Sequence, residues 1–181
     1  PVGNNGYFTE YLPNGIDSSY IIISNKNLYN DNFGNNWVDQ YAIYRSSIIG
    51  GNYDVVNAKI EELIDQYAYG IENHPFSIRE FANDAISNWP IAPKHLLLLG
   101  KGISADVCRK SSTNQFYNLV PTFGNSSSDI LLTAGLNGTQ LEPAINTGRI
   151  AAKSGEEVQI YLNKVKEFEN NNLYYDQVLT E

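Results

Sequence analysis

The chain has 181 residues, 42% hydrophobic and 18% charged, the balance of about one globular domain and not of a disordered segment. Its net charge of −8 argues against nucleic acid and anionic membrane surfaces as partners, because phosphates demand a basic surface. No apolar run approaches the roughly 18–20 residues of a membrane-crossing helix. No signal peptide is recognisable, and a chain that starts at Pro1 and contains no methionine reads as a processed chain or an excised fragment.

Residues 1–19, rich in Gly, Asn and Tyr, lack a sustained period and read as a lead-in or linker with at most one short strand. Tyr20 to Ser24 is a β-branched run that predicts a buried strand. The polar stretch 25–36 reads as a loop. A helix is predicted from Trp37 to Ser47, with Val38, Tyr41 and Ile48 near one face, stopped by Gly50 and Gly51. Tyr53 to Ala58 predicts a second strand. Ile60, Leu63, Ile64 and Tyr67 then mark an amphipathic helix ending near Gly70.

The next helix carries the clearest signals. Ser77 and Glu80 have capping-box spacing, Ile78, Phe81, Ala82, Ala85, Ile86 and Trp89 repeat helically, and Pro90 ends the pattern. His95 followed by Leu96 to Leu99 is too continuous for a one-sided strand and predicts a central one, covered on both faces. Asp129 to Thr133, the turn Asn137-Gly138 and Thr139 to Leu141 predict a β-hairpin. Ala144 to Thr147 reads as a last strand. Ser154 and Glu157 suggest a second capping box, opening a helix lined by Val158, Tyr161, Leu162, Val165 and Phe168 and ended by Asn170 to Asn172. The tail from Tyr174 to Glu181 reads as the start of a further strand. The alternation predicts an α/β fold: three layers around a mostly parallel open sheet, with an added hairpin.

The chain holds one thiol, Cys108, and two imidazoles, His74 and His95. A cysteine nucleophile needs its base within roughly 2.6–3.2 Å. His95 enters the central strand and Cys108 lies past its exit, and four residues at about 3.3 Å each separate the strand ends by about 13 Å. His74, in a loop before Pro75, could approach the thiol in principle, but no spacing demands the contact. One cysteine excludes an internal disulfide. Paired ligands for zinc are absent, and the oxygen-rich stretch Asn25–Asn36 fails the EF-hand template, because aligning Gly34 puts Tyr29 at its first ligand position. No metal or cofactor is expected; calcium has no specific support. Gly100-Lys101-Gly102-Ile103-Ser104-Ala105 matches the dinucleotide fingerprint G-x-G-x-x-A, but it follows the third strand and no acid closes the next one, so glycines that permit a sharp turn explain it as well. Asn125-Ser-Ser and Asn137-Gly-Thr fit the glycosylation pattern and read as turns.

The order of motifs resembles the N-terminal subdomain of the gingipain family of cysteine peptidases, which includes the sortase-like signal peptidase of the type IX secretion system of Bacteroidetes. The stretches that carry it are PFSIREFANDAISNW before PKHLLLLGKG, and LVPTFGNSSSDILLTAGLNG before AINTGRIAAKSGEEVQIYLNKVKEFE, over roughly residues 20–180. The resemblance implies the non-catalytic half of a caspase-like or flavodoxin-like arrangement, secreted or at the cell surface. Its partner would be a C-terminal catalytic subdomain of the same polypeptide, which would carry the catalytic His and Cys; none of its catalytic positions falls in this chain, so the chain alone is not expected to be an enzyme. Where the family usually has Gly-Asp after the Leu run, this chain has Lys101. Asp129 matches the acidic position before the hairpin, and Gly148 and Arg149 match the Gly-Arg pair before the last helix. Gly100, Lys101, Gly102, Asp129, Gly148 and Arg149 are therefore the candidates for a wall against the catalytic subdomain, with Arg149 expected to bind a carboxylate such as Asp129. Two other functions compete: a degenerate peptidase-like binding module, favoured by Lys101, and a nucleotide-binding domain through Gly100–Ala105.

Overall fold

The run Tyr20-Ile21-Ile22-Ile23 has no polar side to turn to water, so it enters a sheet between two neighbours. In the computed structural model of the protein, which describes residues 6–15 and 19–178, this run is β1 (Ser19–Ser24). It pairs with β2 (Asp54–Lys59) on one side and β3 (His95–Leu99) on the other, and β4 (Asn146–Ile150) lies beyond β3. All three pairings are parallel, with Ile21 opposite Val56 and Leu96, and Leu98 opposite Arg149. The all-parallel sheet with helices matches the expected α/β class, and β3 is central as its leucines required.

The helices follow in chain order: α1 (Trp37–Ser46), α2 (Ile60–Tyr67), α3 (Phe76–Asn88), the short α4 (Ala105–Cys108) and α5 (Ser112–Tyr117), and α6 (Gly155–Val178). The two-residue alternation of the strands splits the core into two layers. Ile22, Leu97, Leu99 and Ile150 meet α1 and α6 through Val38, Tyr41, Val158 and Leu162. Ile21, Ile23, Leu96 and Leu98 meet α2 and α3 through Leu63, Ile78, Phe81 and Ala85, joined by Val120, Leu132 and Ile145 from the long β3–β4 connection. Each fully buried aliphatic side chain contributes about 1.5–3 kcal/mol relative to exposure.

Several sequence expectations are corrected. The hairpin does not form: Ile130–Leu132 is a turn of 3-10 helix, and the pairing there is the isolated bridge Ala134–Pro143. The tight turn at Asn137-Gly138 is present, with φ of 51° and 80°. However, Thr139 Oγ1 accepts from the Gly135 N–H (3.0 Å) and donates to the Leu136 carbonyl (2.9 Å), and Pro143 has no N–H, so a ladder cannot extend. The last strand starts at Asn146, not Ala144, and runs through Gly148, Arg149 and Ile150. Ser77 is no cap. Pro75 already has helical angles (φ −67°, ψ −18°), and the buried Ser77 hydroxyl donates to the His74 carbonyl at 2.8 Å.

The second capping box is half formed. Ser154 Oγ accepts the Glu157 N–H at 3.4 Å, but the Glu157 carboxylate reaches the N–H of Lys153, one residue early. Ile48 lies past the end of α1 and is 87% exposed. The loop 25–36 contains a 3-10 turn at Lys26–Leu28. α6 continues through Asn170–Asn172 and replaces the expected tail strand as far as Val178; residues 179–181 lie outside the described residues. Asparagine costs a helix at most about 0.7 kcal/mol per residue, and Glu169, just before the triplet, is gripped from α1 by Arg45 (2.8 Å) and by the Tyr44 hydroxyl. Among the lead-in residues 6–15 no strand forms. Instead Tyr11 donates to Glu62 (2.6 Å) and accepts from the Lys59 N–H, while Asn14 and Gly15 both donate to Asp54.

Candidate functional site at the carboxyl rim of the sheet

β3 delivers the chain to the carboxyl rim, the edge at which open α/β sheets place their sites. Gly100 turns there at φ 148°, and a Cβ would stand 2.8 Å from Val120 Cγ2. The following loop is sewn down by its own backbone. Gly100 N–H donates to Ile150 O and Lys101 N–H to Ala152 O, both at 2.9 Å, and the Lys101 carbonyl accepts from the N–H groups of Leu119 and Val120. Ile103 N–H donates to Asn118 Oδ1 at 2.8 Å.

Arg149 crosses this loop from β4. Its Nε and Nη2 form a fork on Asp129 at 2.7 and 2.8 Å, Nη1 donates to the carbonyls of Gly100 (2.7 Å) and Val120 (2.8 Å), and Nη2 also reaches Pro121 O at 3.2 Å. All five guanidinium N–H groups are thereby engaged. Gly102 leaves room for the guanidinium: a Cβ there would lie 3.1 Å from Arg149 Cζ. Burial alone would raise the Asp129 carboxyl, but the hydrogen bonds and charge of Arg149, with a bond from Thr122, hold it below the usual carboxylate range. The structure thus brings together Gly100, Lys101, Gly102, Asp129 and Arg149. Gly148 does not join them: it is exposed, and nothing lies within 4 Å of where its Cβ would be.

This geometry leaves little for a phosphate. The N–H groups of Gly100, Lys101 and Ile103 already serve protein acceptors, and the helix that follows, α4, has four residues, so the glycine pattern here closes a turn.

His95 and Cys108 stand at opposite ends of β3, as the strand length required. The His95 ring packs against Tyr20 (centroids 5.6 Å) and Tyr53 (5.2 Å) at the amino rim, and burial, aided by the charges of Lys94 and Arg45, lowers its pKa. The separation does not extend to His74, which lines the same cleft as Cys108. Even so, His74 Nδ1 accepts the Phe76 N–H at 3.2 Å, and the hydrogen-bond partner of the buried thiol is Asn118 Nδ2 at 3.7 Å. Among the described residues no cluster of three or more His, Cys, Asp or Glu side chains is placed to hold a metal ion. In the 25–36 loop the Asp31 carboxylate binds the Phe33 and Asn35 N–H groups, the Asn35 amide and the Trp37 indole.

The cleft itself was not read from the sequence. It holds about 520 Å³ and is walled by residues 71–76 on one side and by residues from 103–124 on the other. Asn118, 7% exposed, joins the walls: besides binding Ile103 and Cys108 it donates to Asn73 Oδ1 at 2.9 Å. An asparagine between two loops carries no sequence signal of such a role; only the fold identifies it.

The family model described as Peptidase family C25 matches residues 14–179. No curated protein sequence matches the chain significantly. Among solved structures the chain is similar to dimeric latent PorU from Porphyromonas gingivalis, with a TM-score of 0.57 and 18% identity. The alignment covers 86% of this chain and 15% of the PorU chain, so the likeness is one of fold and spans a small part of that protein's length. No helix among the described residues is long and apolar enough to cross a membrane.

Proposed function

The chain belongs to peptidase family C25, the gingipain family, and from that premise we propose that it is the N-terminal, non-catalytic subdomain of a gingipain-like cysteine endopeptidase. In this reading residues 20–181 form the subdomain and 1–19 lead into it. Further polypeptide carries the cysteine–histidine pair, and the parent acts outside the cell or at its surface. The observation that carries the proposal is the state of the one thiol: Cys108 is buried against an amide, His95 is at the far end of the sheet, and His74 is turned to its own backbone. The sheet would support the catalytic subdomain, and the rim formed by Gly100–Gly102 and Asp129, fixed by Arg149, would present a rigid wall to it.

The isolated chain is expected to hydrolyse no peptide, and Cys108→Ala to change nothing, in an assay with a mixed fluorogenic peptide library. Turnover that disappears in the Cys108→Ala variant would refute the proposal. The supporting role is tested by expressing the remainder of the parent with and without this chain: cleavage is expected only with it, and equal cleavage in both cases would remove the role. A non-catalytic binding module is the second reading, favoured by Lys101 in place of the acid that the family's pattern has there. It is distinguished by the same experiment, because its parent would cleave in neither case.

A further inference from the structure

The cleft beside the rim has the features of a preformed recognition site. Its volume, about 520 Å³, falls within the range of ligand pockets. Its walls come from separate chain segments and are held at a fixed spacing by the buried Asn118 amide. Phe76 from one wall and Phe123 from the other stack on each other, with rings 8° from parallel and centroids 5.7 Å apart, and so give the cleft an aromatic surface where its walls meet. Apolar surface stays in water at the mouth, where Phe76 is 43% and Ile71 is 55% exposed. A free charge stands on each wall: Glu72 with the Ile71–Phe76 segment, and Arg109 at the end of α4. Among the described residues neither enters a salt bridge.

We propose that this cleft binds a short, turned peptide segment in which a bulky apolar side chain is flanked by one basic and one acidic residue. The apolar side chain enters the trough against Phe76 and Phe123, its basic neighbour pairs with Glu72, and its acidic neighbour with Arg109. Opposite charges on the two walls select such a mixed sequence over a purely acidic one, which Glu72 and the net charge of −8 repel, and over a purely basic one, which Arg109 repels. The peptide amides and carbonyls have polar groups available in the Gln115 side chain and in Asn73 Nδ2, both on residues that line the cleft. The inference rests on the cleft alone and stands whether or not the parent is a peptidase.

The test is a titration of the chain with acetyl-Lys-Phe-Glu-amide, followed by two-dimensional amide NMR. Saturable shifts confined to residues around Asn73, Phe76, Asn118 and Phe123 are expected. The Phe→Ala peptide should bind at least about tenfold more weakly, from the apolar area it no longer buries. In the Arg109→Glu variant, whose exposed site leaves the fold and the spectrum away from the cleft unchanged, preference should invert toward acetyl-Lys-Phe-Lys-amide. Absence of saturable shifts, shifts that map elsewhere, or an Arg109→Glu variant that still prefers the Glu peptide would each overturn the proposal.

Discussion

Replacing Arg149 with alanine is expected to destabilise the chain by about 3 kcal/mol, read as a lower urea midpoint with an unchanged slope. The substitution removes the partner of a half-buried carboxylate and leaves the carbonyls of Gly100, Val120 and Pro121 without their donor. The effect belongs at the lower end for a broken buried pair because Asp129 keeps 26% of its side chain in contact with solvent, against 12% for Arg149. Arg149→Lys should recover only a minor part, since an ammonium cannot span the fork on Asp129 and three carbonyls together. The same contact sets an acid limit. The folded carboxyl of Asp129 is held below its unfolded value of about 3.9. Its contribution is therefore complete above that value and is lost as the pH falls through the lower, folded one. Asp129→Asn should make stability less dependent on pH in that acid window while lowering it at neutral pH, and urea titrations between pH 2 and 6 would show both. A variant Arg149→Ala with wild-type stability would mean that the rim is held by its backbone bonds alone, and the proposed rigid wall would lose its anchor.

The parts of this molecule that announce themselves in the sequence are those in which one physical preference acts alone. The leucines of His95–Leu99 read as a covered strand, and the pairing of Arg149 with Asp129 was expected because the resemblance matches both to positions of the gingipain pattern, where a guanidinium near a carboxylate forms a charge-assisted bond. Where two preferences compete, the sequence misleads. Ser77 and Glu80 have the spacing of a capping box, yet Pro75 starts the helix earlier and buries Ser77 as a helical residue. The turn at Asn137-Gly138 is correct, but Pro143 and the Thr139 hydroxyl deny it strands. Asn170–Asn172 read as a stop because the helix's anchor, Glu169 bound to Arg45 and Tyr44, depends on a contact across 124 residues of chain. The cleft was illegible for a related reason. Its walls come from residues 71–76 and 103–124, which no periodicity connects, and the asparagine that joins them is indistinguishable in sequence from an ordinary turn residue. The placement of His74 in one cleft with Cys108 is left open by the sequence for the same cause: loop residues have no register from which their neighbours follow.

Phe81→Ala is expected to destabilise the chain by about 3–5 kcal/mol, the range for emptying a buried aromatic site. Phe81 is 1% exposed and central to α3. Its ring meets those of Tyr11 (5.9 Å), Tyr67 (5.7 Å) and Trp89 (6.0 Å), so the lead-in, α2 and the end of α3 all pack on one side chain. The cavity cannot be closed by small movements, because Ile21 and Leu98 behind it belong to the central strands of the sheet. Phe81→Leu should cost less, about 1–1.5 kcal/mol, by keeping most of the volume. The position also bears on function. α3 begins at Phe76, in the wall of the cleft, and its Arg79 donates to the carbonyls of Leu131 (2.9 Å) and Ala134 (2.8 Å), which follow Asp129 in the chain. Loosening α3 should therefore release both the cleft and the segment that presents Asp129, so that amide exchange in Phe81→Leu accelerates at residues 71–76 and 129–134 before it does in β1 and β3. Uniform acceleration across the sheet would instead show that α3 and the strands open as a single unit, and that the rim has no mobility separate from the core.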